Sequence, residues 1–128
     1  MNAAELAAEL LRLAEVLKAR PPDPAHWVHE GTPADFLKAL ARLAETDEAA
    51  FWRGLDSGAL WAGAGSVANQ ALAANPGLPE PVWAAQQAQL REGLAAIARA
   101  LQARARETGR PAHPDLDFWR SIFEASRP

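Results

Sequence analysis

The first part of the chain places leucines three and four residues apart, which is the spacing of one face of an α-helix. These leucines are Leu6, Leu10, Leu13 and Leu17. Asn2 precedes them as a candidate N-cap, and Glu5 stands three residues later, where a capping box needs an acid. We therefore predict an amphipathic helix that ends near Arg20, because prolines interrupt the chain at positions 21, 22 and 24.

Two further helices are predicted from their start signals. Thr32, Pro33 and Asp35 supply an N-cap, a proline at the first helical position and an acid in the first turn. Apolar residues at helical spacing extend this helix to about Glu45, namely Phe36, Leu37, Leu40 and Leu43. Asp47 caps a shorter helix whose apolar residues are Phe51, Trp52 and Leu55.

The longest predicted helix runs from Pro81 to about Thr108, a stretch without an internal proline. Its apolar face is formed by Trp83, Leu90, Leu94, Ile97 and Leu101. About 28 residues at 1.5 Å each give a rod of about 42 Å, whereas a compact chain of this length has a radius of gyration of about 14 Å. One end is therefore expected to overhang or bend, and Gly93 is expected to mark a bend or a close helix crossing.

A terminal helix is predicted to start at Asp115 or Asp117 and to dock three apolar side chains, Trp119, Ile122 and Phe123. Together the elements predict one all-α domain over residues 1–128, a bundle of about five to seven helices. Composition agrees with this fold class, because the 49% hydrophobic content is carried largely by Ala and Leu, while Val and Ile are sparse.

The charge and composition of the chain exclude several classes of partner and of chemistry. A net charge of −3 and an isoelectric point near 5.6 give no overall attraction to nucleic acid or to anionic membranes, so neither is expected as a partner. The absence of cysteine excludes disulfides, thiolate metal ligands and a cysteine nucleophile. Glu5 and Glu9 stand where a signal peptide carries Lys or Arg, and no run of about 18 apolar residues occurs, so we expect a soluble, cytoplasmic protein.

A glycine-rich stretch at residues 63–68 reads Gly-Ala-Gly-Ser-Val-Ala and matches the G-x-G-x-x-[G/A] fingerprint of dinucleotide-binding turns. That fingerprint requires a strand before the glycines and a second strand about 20 residues later. The segment before Gly63 is too short for a strand, and residues 83–89 fall in the longest helix. A phosphate loop is also excluded, because Ala64 and Gly65 occupy the positions that require Lys and Ser or Thr. We therefore predict a tight structural turn that allows Trp61 to pack closely.

An alternative function for this stretch is the binding of an anion or a small molecule, by a binding protein or an enzyme. Ser66 is a candidate N-cap for a helix that continues to about Ala74, and helix N-termini attract anions. The candidate ligand-binding residues are Gly63, Gly65, Ser66, Asn69 and Gln70.

Two histidines, His26 and His29, are three residues apart and would share a face on a short turn of helix. They are candidate metal ligands, whose shell would need Glu30 or a distant His113, Asp115 or Asp117. Their order matches no zinc-protease motif, and no serine lies in a G-x-S-x-G elbow. We therefore interpret both histidines as surface and capping residues, and predict no metal, no cofactor and no catalytic residue.

The five tryptophans are spread one to a segment, which predicts that each anchors its helix in a common core. Trp61 is also our candidate for a surface groove that binds a partner, because interfaces favour Trp and Arg. Four arginines crowd the C-terminal end of the longest helix, namely Arg99, Arg104, Arg106 and Arg110. They either stabilise the helix dipole or form a docking patch for an acidic protein surface. An alanine face, formed by Ala84, Ala88, Ala95 and Ala98, would allow pairing with a second copy of the chain.

The leucine helix, the pair His26-Trp27 and the residues Gly63 to Ser66 resemble a family of small helical bacterial proteins of uncharacterised function, over residues 1 to about 75. That family carries a G-G-x-G-S-x-N-D stretch. Here Ala62 replaces the first glycine, Asn69 is displaced by one residue, and Gln70 stands in place of the aspartate. A small acidic helical chain is also similar in type to immunity proteins that neutralise bacterial toxins. Because the chain has no coherent catalytic set and no cofactor motif but offers Trp and Arg candidates for an interface, we predict a non-enzymatic protein that binds another protein. The resemblances imply a bacterial protein, such as an immunity or antitoxin-like factor.

Overall fold

The computed structural model describes residues 1–19, 27, 29–72 and 77–125, and these form helices joined by turns, without a β-strand. The α-helices are α1 (Ala3–Lys18), α2 (Pro33–Thr46), α3 (Glu48–Leu55), α4 (Gly58–Trp61), α5 (Val67–Gln70), α6 (Glu80–Thr108) and α7 (Leu116–Ala125), and a 3-10 turn spans Gly63–Gly65. The prediction of an all-α fold with one long helix in the C-terminal half is confirmed. Among the described helices, none is both long and apolar enough to cross a lipid bilayer.

The N-cap residues that the sequence predicts for the first three helices form their capping hydrogen bonds in the structure. The Asn2 side chain accepts a hydrogen bond from the Glu5 backbone N–H at 2.8 Å, while the Glu5 carboxylate accepts one from the Asn2 N–H at 3.0 Å. The side chains of Thr32 and Asp47 each accept a backbone N–H three residues ahead, at 3.1 Å. Of the turn of helix predicted around His26, Trp27 and His29 lie within the described residues, and neither is helical.

One hydrophobic cluster joins the apolar faces of the helices. From α1 it contains Leu6, Leu10, Leu13 and Leu17, and from α6 it contains Leu90, Leu94, Ile97 and Leu101. The largest side chains with less than 2% exposure are Trp61, Phe51 and Phe123. The predicted apolar faces of α1 and α6 are therefore confirmed, except that Trp83 is only partly buried.

The helix predicted from Ser66 to about Ala74 is shorter than expected, because α5 covers only Val67–Gln70. The backbone N–H groups of Ala71 and Leu72 bond to carbonyls three residues back, which tightens the end of the helix. Side chains of α6 form hydrogen bonds to the two carbonyls that follow α5. Gln87 donates to the Leu72 carbonyl at 3.2 Å, and Arg91 donates to the Ala71 carbonyl at 3.0 Å. These bonds satisfy carbonyl groups at the end of α5 that have no partner within the helix.

The middle of α6 crosses α1 at Gly93, as the glycine predicted. A Cβ atom added to Gly93 would lie 2.6 Å from the Leu13 Cδ2 atom and 2.6 Å from the Glu9 Oε1 atom. Leu13 is fully buried, so its side chain has no solvent to move into. The close approach of the two helices therefore requires a residue without a side chain at this position.

Replacing Gly93 by alanine is expected to destabilise the protein by about 1 kcal/mol. Helix propensity alone would stabilise it by about 1 kcal/mol, but forcing a methyl group into this crossing costs about 1 to 3 kcal/mol. Urea denaturation of the variant measures the net change in the free energy of unfolding. Ala88→Gly, an exposed position of the same helix, is the control and should lose about 1 kcal/mol from propensity alone. A Gly93→Ala protein more stable than the wild type would contradict the tight crossing.

The two ends of α6 differ in their packing. This helix has 29 residues, which corresponds to about 43 Å. None of residues 80–86 is buried, so the N-terminal end overhangs the core as expected. Ala95 and Ala98 of the alanine face are buried in the core, whereas Ala84 and Ala88 are exposed. At the other end, Gly109 adopts a left-handed conformation with φ of 69° and terminates the helix.

Candidate functional site

The glycine-rich turn is held together by the Ser66 hydroxyl. It donates a hydrogen bond to the Gly63 carbonyl at 2.7 Å and accepts one from the Asn69 N–H at 3.2 Å. Ser66 is fully buried, and Asn69 and Gln70 have partners of their own. The hydroxyl is thus used within the chain, and α5 is too short to develop an appreciable dipole. We therefore treat this turn as structural rather than as a ligand site.

A Ser66→Ala substitution is expected to lower the free energy of unfolding by about 1 to 2 kcal/mol, because it removes an N-cap and takes the side-chain acceptor from the partly buried Asn69 N–H. Thermal and urea denaturation measure the loss. Ser121→Ala, on an exposed position of α7, is the matched control and should stay within about 0.5 kcal/mol of the wild type. Unchanged stability of Ser66→Ala would speak against a structural role for the turn.

The structure places Trp61 in the core, so the expectation that it lines a surface groove is wrong. Its side chain is fully buried, and its indole N–H donates to the Leu55 carbonyl at 2.7 Å. Its own carbonyl accepts a hydrogen bond from the indole N–H of Trp119. Trp61 is the last residue of α4 and has no exposed surface, which leaves no part of its ring for a partner to contact.

A groove does open elsewhere, between α3 and the C-terminal end of α6, with a volume of about 590 Å³. Three of its arginines come from three elements: Arg53 from α3, Arg104 from α6, and Arg110 from the segment after α6. The lining also includes Trp52 of α3, Asp56 at the C-cap of α3, and Thr108 of α6. We call this feature the arginine groove.

The groove arginines are exposed and have no acidic partner among the residues that the structure describes. The guanidinium of Arg104 lies over the Trp52 ring, 3.9 Å from its centroid. This stacking orients the guanidinium while leaving its N–H donors in the plane of the group free to bind an anion. Trp52 is itself held by a hydrogen bond from its indole to the Glu48 carboxylate at 3.3 Å.

The segment that follows α6 is fixed to the end of α3 by Asp56. Its carboxylate accepts a hydrogen bond from the His113 backbone N–H at 2.7 Å, and the His113 ring accepts one from the Asp115 N–H at 3.1 Å. The first bond holds the chain after Gly109 against the end of α3, and the second fixes the turn within this segment. They therefore help to bring Arg110 to the same groove as Arg53.

The four arginines predicted as a partner-binding patch do not act as one group. Arg104 and Arg110 line the groove, whereas Arg106 is exposed outside it. Arg99 faces α7 and forms an ion pair with Glu124 at 2.9 Å. Hydrogen bonds from Arg120 and Arg99 hold the pKa of Glu124 below its usual value. Arg99 thus belongs to the α6–α7 contact.

The proposed histidine site receives no support from its neighbourhood. His29 is exposed and its ring meets that of Trp27 edge-on, with centroids 4.8 Å apart. His26 lies outside the described residues. In the described part of the chain, no three His, Asp or Glu side chains come together in a way that could hold a metal ion.

Comparison with known proteins identifies no relative of this chain. No family model matches this chain, and no match was found among curated proteins or solved structures. The arginine groove is therefore the feature of this chain that best indicates a function.

Proposed function

We propose that this chain is a non-enzymatic helical protein that binds an acidic surface of another protein in the arginine groove. The observation that carries the proposal is the presence of three exposed arginines around one groove without an ion-pair partner in the described residues. Acidic side chains outnumber basic ones, 16 to 13, yet this region collects positive charge. Such a local excess is what a complementary acidic surface would neutralise.

Arginine suits this role better than other residues. Its planar guanidinium binds a carboxylate through two parallel hydrogen bonds, and it loses less water on binding than a lysine ammonium. A groove with arginines on its walls would also attract an acidic partner during approach and increase the association rate. The partner that we propose is a protein toxin, in keeping with the similarity in type to immunity proteins. Cellular location inside a bacterium is part of the same proposal.

The proposal is tested with two substitutions on one helix. The tagged wild-type protein is used to isolate its partner from cells that express it naturally, and the purified pair is then titrated by calorimetry. Arg104→Glu, in the groove, should weaken binding by about 10-fold or more, equivalent to about 1.4 kcal/mol. Arg106→Glu makes the same charge change outside the groove and should stay within about threefold, because exposed charges outside an interface contribute little.

Circular dichroism of both variants checks that each remains folded. Equal affinities for Arg104→Glu and Arg106→Glu would mean that the groove is not the binding site. Binding by the wild type that does not weaken between low and high salt would exclude a charged interface.

A further inference from the structure

The arginine groove has an apolar floor as well as charged walls. Leu101 of α6 lies at the bottom with only 5% of its surface exposed. Small apolar side chains surround it, namely Ala49, Ala105, Pro111 and Ala112. The aromatic ring of Trp52 forms one side. An occupant that carried charge alone would leave this apolar surface in contact with water and would gain nothing from it.

On this basis we infer, provided that the proposed function holds, that the occupant is a protein segment in which acidic residues flank an apolar side chain. The apolar side chain would pack against the accessible apolar lining, Ala49, Ala105 and Pro111, above the buried Leu101. The flanking carboxylates would meet the arginines of the groove. The volume of about 590 Å³ lies in the range of about 300 to 1,000 Å³ that is typical of ligand pockets. It accommodates more than a single carboxylate.

The positions of the charges support the flanking arrangement. Arg53 belongs to the α3 wall, Arg104 to the α6 wall, and Arg110 to the segment that follows α6. Because the groove carries three arginines from three elements, a single acidic group would leave positive charge unpaired. A segment with acids on both sides of its apolar residue can pair with more than one of these arginines.

The acid in the groove argues against a nucleic-acid backbone as the occupant. Asp56 lines the same groove and would repel closely spaced phosphates. The net charge of −3 opposes a polyanion over the rest of the surface as well. A peptide carries fewer and more widely spaced charges, which allows its carboxylates to approach the arginines and avoid Asp56.

Three synthetic peptides of equal length separate the contributions of the apolar pair and of the flanking acids to binding. The first has Asp and Glu on both sides of a central Leu-Phe pair. The second replaces Leu-Phe by Ser-Ser, and the third replaces the acids by Asn and Gln. Each is titrated into the intact wild-type protein and followed by ¹H–¹⁵N NMR, so that shifted amides locate the site. We expect the first peptide to bind at least about 10-fold more tightly than either of the others, with shifts around Trp52 and Arg104.

Each other result has a defined meaning. If the first and second peptides bind equally, the inference of an apolar anchor is overturned while acidic docking stands. If the first and third bind equally, the acidic docking of the proposed function is overturned too. If none of them binds with a dissociation constant below about 1 mM, or if an RNA oligonucleotide displaces the first peptide, the inference is overturned. The comparison of Arg104→Glu with Arg106→Glu against the natural partner then decides the proposed function by itself.

Discussion

Replacing Trp61 by alanine is expected to lower the free energy of unfolding by about 3 to 5 kcal/mol, the range for emptying a buried aromatic site. Trp61 has no exposed surface, and its indole satisfies the Leu55 carbonyl in the core. The substitution therefore leaves a large cavity and a carbonyl without its donor. Because a domain is stable by only about 5 to 15 kcal/mol, this change removes a large share of the total.

Urea denaturation followed by circular dichroism measures the effect, with Trp83→Ala as the matched control. Trp83 is partly exposed near the overhanging end of α6, so the same chemical change there should cost about 1 kcal/mol or less. A Trp61→Phe protein should fall between alanine and the wild type, since it keeps most of the apolar volume and loses the hydrogen bond. Equal losses at positions 61 and 83 would contradict the assignment of Trp61 as a core anchor.

Reversing two charges of the arginine groove, Arg53→Glu with Arg104→Glu, is expected to reduce affinity for the acidic Leu-Phe peptide by about 100-fold or more. Close charge pairs across an interface contribute about 1.5 kcal/mol or more each, and reversal adds repulsion to the loss of attraction. The two side chains come from different helices, α3 and α6, and line the same groove, so an acidic segment in the groove is exposed to both. Calorimetry at low and physiological salt measures the change.

Exchanging the charges of peptide and protein distinguishes the loss of a specific contact from a general loss of structure. A peptide with Lys in place of the acids should bind the double variant more tightly than it binds the wild type, because attraction is restored with the signs inverted. The reversal of Arg42 and Arg106, which are exposed outside the groove, is the matched double control and should leave the affinity for the acidic peptide within about threefold. Failure of the Lys peptide to prefer the double variant would mean that these arginines do not contact the ligand.

The elements that could be predicted from the sequence are those determined by neighbouring residues. The caps at Asn2, Thr32 and Asp47 bond within three residues, so each helix start was visible as a local pattern. The length of α5 is not visible in the local sequence, because the carbonyls at its end accept hydrogen bonds from Gln87 and Arg91 of another helix. A helix end of that kind depends on tertiary contacts that no local pattern shows.

The same distinction explains the site. Arg104 and Arg110 were candidates because they crowd a predicted helix end, where their positive charge was evident. Arg53 was missed, since only the packing of α3 beside the end of α6 brings it to the groove. Trp61 was misplaced because a tryptophan beside glycines suits an exposed rim and a buried anchor equally well, and the hydrogen bond from Trp119 comes from 58 residues away.

The overhang of α6 has a consequence for the exchange of backbone amide protons with solvent. No side chain of residues 80–86 is fully buried, and only Trp83 and Gln86 are partly buried, so the first turns of this helix are held mainly by their own backbone hydrogen bonds. They open by local fraying at little free-energy cost, whereas the amides between Leu90 and Leu101, where the helix packs into the core, are released only when that packing is lost. Deuterium uptake along this one helix should therefore slow from its N-terminal end towards Gly93, so that a single continuous helix contains both a rapidly exchanging segment and a strongly protected one.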